Sequence, residues 1–596
     1  MKRAKLRNLW TKLPTMLFVS FLTLFCWSHT LAWMSAEPQI GGLTPHPPEA
    51  HRDYPDQYTS KADQPLVRNP NKTAEDTAGE PQKAKRTAPS EKTEPLDQAF
   101  KTDTYPSTPF TFPTPHPSIQ SLLTYDILTS NQDTPVTHVP LNDMYSYPYT
   151  DVAGVPTFRG NPTRTQPAYG YLEQRPTTLK IRWSFTTRTS SWGGGAGWTG
   201  QPAIINWPEE TRQVMNLRST NAPNTDLVEV IYGSLDGRVY FFDLKNGEQT
   251  RDPLNVGNPI KGSVSVDTRG FPLLYVGEGI PETGEIGFGL YSLLDQSLLY
   301  HQSGLDAQAF RSWGAFDSSA LFNKKQDSML VGGENGLLYH LQLRTTYEAE
   351  PPSLSIDPIV SRYRYRVEGN EHQGIENAVA IYGNLAYFAD NGGSVQAIDL
   401  QTFQPIWVLG PTDDTDATLT VDVEEETPYI YTATEVDQQG TQGDASIRKI
   451  NGLTGEVVWD THYPCYSDPD VNGGALATNI VGKHEIGDVV IFTLARYGAF
   501  HKGLMVALDK ASGEEVWRWE MPYYAWSSPV DVYTKDGEAF LLQADSRGQL
   551  SLLEGTTGVI IDQIDLGATV EASPAVFNDT LVLATRGQQI FGIQMQ

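Results

Sequence analysis

Ala507-Leu508-Asp509-Lys510-Ala511-Ser512-Gly513-Glu514-Glu515-Val516-Trp517 decides the fold. Read as A-x-D-x-x-x-G-x-x-x-W, it recurs in degraded form about every 50 residues, the period of a unit that cannot bury its own apolar face and stacks on copies of itself. Lys449 to Trp459 repeats it with Asn451, Gly455 and Trp459 in register. Ala397 to Trp407 keeps Ala397, Asp399 and Trp407 but carries Phe403 at the glycine position. Asp243 with Gly247, and Glu554 with Gly558, keep the turn and lose the tryptophan. Aspartate and glycine predict a tight turn, the glycine supplying positive φ. The tryptophan offers a flat apolar face with one polar N–H, suited to lie against a neighbouring unit. Trp183, Trp407, Trp459 and Trp517, with Gly455 and Gly513, are therefore expected to dock one unit on the next.

Around this motif the chain reads as short β-branched and aromatic runs between Gly, Asp and Asn turns. In the clearest repeat, Trp526 to Val530 opens a strand, Ala539 to Ala544 and Leu550 to Glu554 make two more, and Val559 to Ile564 follows the turn Gly555 to Gly558. Four antiparallel strands repeated radially make a propeller blade. Opening strands are read at Gln201-Pro202-Ala203, Gly262-Ser263-Val264, Ser318-Ser319-Ala320, Asn377-Ala378-Val379, Thr418-Leu419-Thr420, Gly473-Gly474-Ala475, Ser527-Ser528-Pro529 and Ala572-Ser573-Pro574. The last unit, Glu571 to Gln596, holds only three strands. Thr178 to Phe185, with Trp183, is a strand without a blade of its own, so it is expected to complete the last blade and remove the open edges. The predicted fold is all-β: an eight-bladed β-propeller over 178–596, at about 52 residues per blade.

The N-terminal third reads differently. Lys2, Arg3, Lys5, Arg7 and Lys12 precede the apolar run Met16 to Trp27, and Thr30-Leu31-Ala32 offers small residues for cleavage, so 1–36 is read as a signal peptide or signal anchor. Phe25 before Cys26 is too bulky for a lipoprotein signal. Residues 37–143 form a Pro-rich linker expected to be disordered: 37–140 hold 17 of the chain's 41 prolines and no Trp. Within it, Gln120 to Leu128 is a short candidate for order. Residues 144–177 are read as a capping segment ahead of the propeller. The expected location is extracellular, secreted or tethered to the outer face of the cytoplasmic membrane.

Composition narrows the partners. With 71 acidic against 44 basic residues the formal charge is −27, which excludes nucleic acid as a partner and leaves a membrane only the N-terminal segment to hold. Cys465 is a lone thiol once Cys26 is assigned to the leader, and without a C-x-x-C there is no zinc ribbon or redox pair. A buried structural cysteine is expected; His462 lies near it in a predicted loop. His484-Glu485 does not continue as H-E-x-x-H, and no G-x-S-x-G or P-loop occurs. Asp413, Asp414 and Asp416 lack the glycine and glutamate spacing of a calcium loop and are expected to be solvated. Glu424-Glu425-Glu426 is expected to be a turn facing water.

These features resemble the quinoprotein, or PQQ-binding-like, eight-bladed propellers. Ala507–Trp517 resembles their tryptophan-docking motif, and Phe158-Arg159-Gly160-Asn161 the F-R-G-N segment that often precedes the fold. The stretches Gly197-Trp198-Thr199-Gly200-Gln201-Pro202, Asp390-Asn391-Gly392-Gly393 and Glu571-Ala572-Ser573-Pro574-Ala575-Val576 resemble secreted members from Gram-positive bacteria, a group that implies no particular activity. The dehydrogenases of the family imply a vicinal cysteine pair and a calcium ion held by glutamate and asparagine; no Cys-Cys occurs here, and Glu376, Asn377 and Glu571 do not align with those ligands. No catalytic residue and no metal site is assigned. The same fold also serves as an assembly scaffold of the bacterial outer membrane, so fold does not select function.

The expected binding place is the channel mouth, where first strands and inner loops converge. Arg311, Trp313, Asp317, Glu376, Tyr524, Trp526, Glu571 and Arg586 are its candidate residues, suited to a polar, planar or sugar-like ligand or, as the alternative, paired with each other to fill the channel. The expected function is a non-catalytic, monomeric scaffold binding an extracellular protein or cell-envelope polymer, without cofactor. The alternative is a PQQ- and calcium-dependent alcohol or sugar dehydrogenase.

Overall fold

Strands such as Val489–Ala495 and Ala539–Ala544 are buried at every position, which requires a sheet covered on both faces. Outer strands such as Glu515–Met521 alternate instead, because one face meets solvent. The structure, a computed structural model, describes residues 105–112, 114, 116–131, 134–137, 141–197, 200–221, 223–468 and 471–596. The leader predicted for 1–36 lies outside the described residues.

The sheets are arranged as an eight-bladed β-propeller. From inside to outside, blade one is Ala203–Asn206, Glu229–Gly233, Arg238–Asp243 and Leu254–Asn255; blade two is Ser265–Val266, Leu273–Gly277, Gly287–Ser292 and Leu298–Ser303. Blade three is Leu321–Asn323, Ser328–Gly332, Leu337–Gln342 and Ile359–Val367, and blade four Ala380–Tyr382, Leu385–Ala389, Val395–Asp399 and Gln404–Leu409. Blade five is Thr420–Glu424, Thr427–Ala433, Gln442–Asn451 and Val457–Tyr466, and blade six Ile480–Val481, Val489–Ala495, Gly503–Asp509 and Glu515–Met521. Blade seven is Val530–Tyr533, Ala539–Ala544, Gln549–Glu554 and Ile560–Asp565. Blade eight takes Ala575–Phe577, Thr580–Ala584 and Gln589–Met595 from the C-terminus and Leu179–Thr186 from the other end of the fold. That pairing puts Trp183 opposite Gly592 and closes the ring.

The motif works between blades. Asp509 Oδ1 accepts from the N–H groups of Ala511 and Ser512, and Gly513 N donates back to Asp509 O at 2.8 Å, forming the turn. A register shift after Ala507 then sets Trp517 opposite that small residue. The ring crosses to the next blade and lies on its turn glycine: Trp183 on Gly247, Trp407 on Gly455, Trp459 on Gly513 and Trp517 on Gly558. All four glycines have φ between 68° and 75°. Three of the indoles also donate to a carbonyl of that turn, Trp183 to Leu244, Trp407 to Gly452 and Trp459 to Lys510, at 2.8 to 3.0 Å. Blade three sends no tryptophan across, and there blade four carries Phe403 in place of glycine; its own ring fills the gap, 6.2 Å from that of Tyr363.

A second ring of contacts joins the inner strands. Ala378 N donates to Thr418 Oγ1, Thr418 N to Thr478 Oγ1, Thr478 N to Ser528 Oγ and Ser528 N to Ser573 Oγ, at 2.9 to 3.3 Å. These hydroxyls satisfy amides that face no ladder partner, and they account for the Ser/Thr content of the opening triplets. The regular inner strands begin two to three residues after the first residue of each quoted triplet. In blade six the displacement is larger: Gly473–Gly474 bridges to Glu435–Val436 of blade five, and the inner strand is Ile480–Val481.

Residues 153–172 cross the channel at the end where first strands turn into second strands. Along this path Pro156 O accepts from Val266 N, Pro162 O from Ile381 N, Thr163 O from Val421 N and Pro167 O from Val576 N, which ties the segment to blades two, four, five and eight. Arg159 and Arg164 both have positive φ and are fully buried. Arg159 donates to Pro529 O at 2.5 Å and Asn479 O at 2.7 Å; Arg164 donates to Val379 O at 2.8 Å and Ser319 O at 3.2 Å. Burial pulls each guanidinium down to about 10, so both remain charged at neutral pH. Two charged forks thus collect carbonyls of four blades at the axis.

Several expectations change. Of the linker predicted to be disordered, residues 37–104 lie outside the described residues, and its later part is ordered: Pro117–Leu122 is a short helix, and Leu123–Asn131 pairs antiparallel with Ile359–Val367 as a fifth strand on blade three. The alternation of Leu123, Tyr125 and Ile127 presents one apolar face to that blade's core, which outweighs the polar composition around it. Tyr105, Phe110 and Phe112 likewise pack on blade four. His462 is on the strand Val457–Tyr466 and not in a loop. Glu425 and Glu426 form an exposed hairpin turn, as expected, each with positive φ. Asp413, Asp414 and Asp416 are buried and not solvated.

Candidate functional site: a carboxylate-lined channel mouth

The position two residues before the inner hydroxyl of each blade faces the open end of the channel. It is occupied by Lys261, Asp317, Glu376, Asp416, Trp526 and Glu571 in blades two, three, four, five, seven and eight. Loops between second and third strands add Glu334, Asn391 and Glu435 from blades three, four and five. One side of the mouth is therefore acidic: Asp317, Glu334 and Glu376 form one group, and Asp414, Asp416 and Glu435 another, each with a carboxylate oxygen from all three members within 4.8 Å.

Lys261 Nζ pairs with Asp317 and lies 3.7 Å from Glu376 Oε1. Burial alone would lower its pKa, and the surrounding carboxylates of Asp317, Glu376 and Glu334 reverse this and raise it. Asn391 Nδ2 points at Glu376 Oε2 (3.2 Å), Asp414 Oδ1 (3.4 Å) and Asp416 Oδ1 (3.4 Å), bridging the two groups. Trp313 Nε1 donates to Glu334 Oε2 at 2.7 Å, and Arg311 Nη1 to Glu334 O and Asn391 Oδ1, both at 3.1 Å. Asn472 Nδ2 holds Glu435 Oε2 at 2.9 Å. The other oxygens of Glu334 and Glu435, both Oε1, are buried without a hydrogen-bond partner.

Burial pushes the Asp317 carboxyl up to about 6 despite the attraction of Lys261. Burial, then neighbouring carboxylates, raises Glu334, Asp414 and Glu435 well above the ordinary range, and burial with Glu376 does the same to Asp416. So much negative charge in low dielectric calls for protons or for a cation.

Above this floor lies a cleft of about 490 Å³, walled by Phe310, Arg311, Trp313, Arg366, His372 and Gln438 and reaching down to Asn391 and Asp414. The candidates Arg311, Trp313, Asp317 and Glu376 thus belong to one site, the first two on its wall and the others beneath it. Tyr524, Trp526, Glu571 and Arg586 form a second group across the mouth. Tyr524 and Trp526 have ring centroids 5.9 Å apart, and Arg586 Nη1 lies 3.8 Å from Glu571 Oε2. The Arg496 guanidinium, held by Asp468 at 2.5 Å, sits 5.6 Å from the Tyr524 ring. Gly197 lets this group close in, since a Cβ there would fall 2.6 Å from Arg586.

Sequence reading missed Lys261, Glu334, Asn391 and Glu435 and set aside Asp414 and Asp416. Aligning the repeats at the inner strands would have found two of them, Lys261 and Asp416, because Lys261, Asp317, Glu376, Asp416 and Glu571 fall in one column. Glu334 and Glu435 lie in loops of unequal length and share no column.

Residues 501–595 match the family model described as outer membrane protein assembly factor BamB. The C-terminal repeats of the chain are thus similar to that family, and the fold as a whole is a β-propeller. No curated protein matches this chain in sequence. Among solved structures it is similar to BamB from Moraxella catarrhalis, at 15% identity and a TM-score of 0.43 over 70% of this chain and 98% of that one. It is also similar to the quinohemoprotein alcohol dehydrogenase from Comamonas testosteroni, at 12% identity and a TM-score of 0.48 over 74% of this chain and 80% of that one. Among the described residues no helix is long and apolar enough to cross a membrane.

The family resemblance implies PQQ and calcium, and the two fare differently here. PQQ is a tricarboxylate; in this channel mouth it would meet a floor of buried carboxylates with Lys261 already engaged by Asp317 and Glu376. The residues present do not fit it. Calcium takes oxygen ligands at roughly 2.3–2.6 Å, so two of its ligands stand no more than about 5 Å apart. Asp414, Asp416 and Glu435 satisfy that limit, and the unpartnered Glu435 Oε1 has the donor chemistry such an ion needs.

Proposed function

We propose that this protein is a non-catalytic binding propeller acting outside the cytoplasm, secreted or held on the outer face of the cytoplasmic membrane, with the carboxylate mouth as its working surface. One observation carries the reading: a channel stoppered by Arg159 and Arg164 at one end opens at the other onto buried carboxylates in excess of their cations. A dead-end acidic mouth beneath aromatic and guanidinium walls suits capture of a divalent cation or of a partner's cationic group, where low dielectric strengthens the attraction. The partner is an extracellular protein or a cell-envelope polymer that presents such a group. Calcium, where bound, supplies charge neutralisation and fixes the loops carrying Asp414, Asp416 and Glu435.

Titrating the purified protein with calcium chloride by calorimetry, then with PQQ, and assaying dye reduction over alcohols and sugars tests this. Saturable calcium binding with neither quinone binding nor dye reduction is the expected result. Quinone-dependent turnover would overturn the reading.

A further inference from the structure

The face opposite the carboxylate mouth carries a larger cleft, about 1220 Å³, between the channel-crossing segment and blade eight. Typical small-molecule sites occupy about 300–1000 Å³, so this one has room for an extended ligand. Its charged groups are engaged. Asp151 pairs with Lys324 at 2.5 Å and Glu173 with Lys535 at 2.6 Å. Asp579 accepts from Gln594 Nε2 at 2.7 Å and Thr580 Oγ1 at 2.9 Å.

Aromatic rings and amides line the rest of the cleft. Tyr169 is 39% exposed, and its ring is stacked on buried Phe577 with centroids 4.9 Å apart and 28° between planes. Tyr147, 41% exposed, stands 6.0 Å from the Tyr105 ring. Asn578, exposed at a hairpin turn with φ of 53°, lies against Gly170, where a Cβ would collide with its side chain. Two exposed tyrosines over a packed base, with amide groups and the engaged carboxylate of Asp579, are the chemistry that recognises pyranose rings: apolar sugar faces stack on the aromatics while hydroxyls bond the amides and the carboxylate.

We propose that this cleft binds a neutral oligosaccharide chain, with Tyr169 and Tyr147 as stacking platforms and Asn578 as a hydroxyl partner. It lies on a different face from the carboxylate mouth and stands independently of the function proposed for that mouth.

The test is calorimetry and saturation-transfer NMR on the full chain with chitotetraose and maltotetraose as neutral probes. Polygalacturonate and a peptide spanning residues 37–68 serve as the anionic and proline-rich comparisons. Saturable binding of a neutral tetrasaccharide, weakened roughly tenfold by Tyr169→Ala and by Tyr147→Ala, is expected. Tyr169→Phe keeps the ring and retains binding, and Glu435→Gln on the other face leaves it unchanged. Unaltered thermal melts establish that each variant is folded; should Tyr147→Ala not fold, Tyr169→Ala against Tyr169→Phe decides. Absence of neutral-sugar binding, binding indifferent to Tyr169→Ala, or binding of only the anionic polymer or the peptide overturns the proposal.

Discussion

Trp459 of blade five lies on Gly513 of blade six so closely that a Cβ on the glycine would fall 2.7 Å from the indole Cδ2. Gly513 also has a φ of 73°. Gly513→Ala therefore combines a left-handed backbone penalty of about 1 kcal/mol with an overlap costing about 1–3 kcal/mol, a loss of about 2–4 kcal/mol. Gly410→Ala, with no atom within 4 Å of its Cβ position, is the control and changes little. Denaturant midpoints measure both; equal midpoints would show that the indole does not need the glycine.

Phe403 tests the same rule from the other side. It holds a φ of 57° and a fully buried ring near Tyr363 and His340. Phe403→Gly relieves the backbone but empties the place that a tryptophan of blade three would have filled. Since burying a phenylalanine is worth about 3–5 kcal/mol against alanine, a net loss of about 2–4 kcal/mol is expected in equilibrium unfolding. A stabilised variant would mean that the positive φ, and not the ring, dominates at this turn.

Arg164 joins Val379, Ser319 and its own segment through hydrogen bonds to carbonyls at a fully buried position. Arg164→Ala strands those acceptors and leaves a cavity, costing about 3 kcal/mol or more. Arg164→Lys recovers only part, because a single ammonium cannot span the planar fork's contacts. Limited proteolysis should then cut within residues 153–172 before any blade is cleaved. Propeller cleavage first would mean that the segment does not depend on the arginine.

The propeller was legible because its logic is local and repeated. Ala507, Asp509, Gly513 and Trp517 each shape a turn or a contact within about one blade, and the glycine is kept at Gly247 and Gly558 because the preceding blade sends it Trp183 or Trp517. The strand Leu123–Asn131 lies in proline-rich composition, where Gln120 to Leu128 stood out as a candidate for order; its partner Ile359–Val367, far along the chain, could not be read from the sequence. The mouth was half legible. Asp317 and Glu376 stand at opening strands, whereas Glu334, Asn391 and Glu435 come from loops whose convergence depends on the ring closing. Asp414 and Asp416 looked solvated because runs of acids are usually exposed; here three consecutive blades bury them together.

Cys465 is buried in the core between blades five and six, and burial pushes its thiol up to about 12. At pH 9, where an ordinary thiol is largely reactive, only on the order of a thousandth of Cys465 is thiolate. Iodoacetamide should leave it unmodified in the native protein from pH 7 to pH 9 and alkylate it fully in denaturant, as read by intact-mass spectrometry. Native alkylation that accelerates between those pH values would mean that the site opens or is less buried than its packing indicates.

Glu435 has one oxygen held by Asn472 and the other without a partner, facing a group that already contains Asp414 and Asp416. Replacing it with glutamine keeps an acceptor for Asn472 and removes one of the mutually repelling charges. In the absence of divalent cations, Glu435→Gln is expected to raise stability by on the order of 1–2 kcal/mol, since burial and like charge both disfavour the carboxylate. With calcium the order reverses: the native protein gains stability as RT ln(1 + [Ca]/Kd), and the variant, lacking a ligand, gains much less. Thermal melts of both proteins in chelator and across a calcium series read the two effects together. A variant less stable in chelator would show that the native cluster is already compensated by its own protons, and an equal calcium response would show that the ion, if it binds, binds elsewhere.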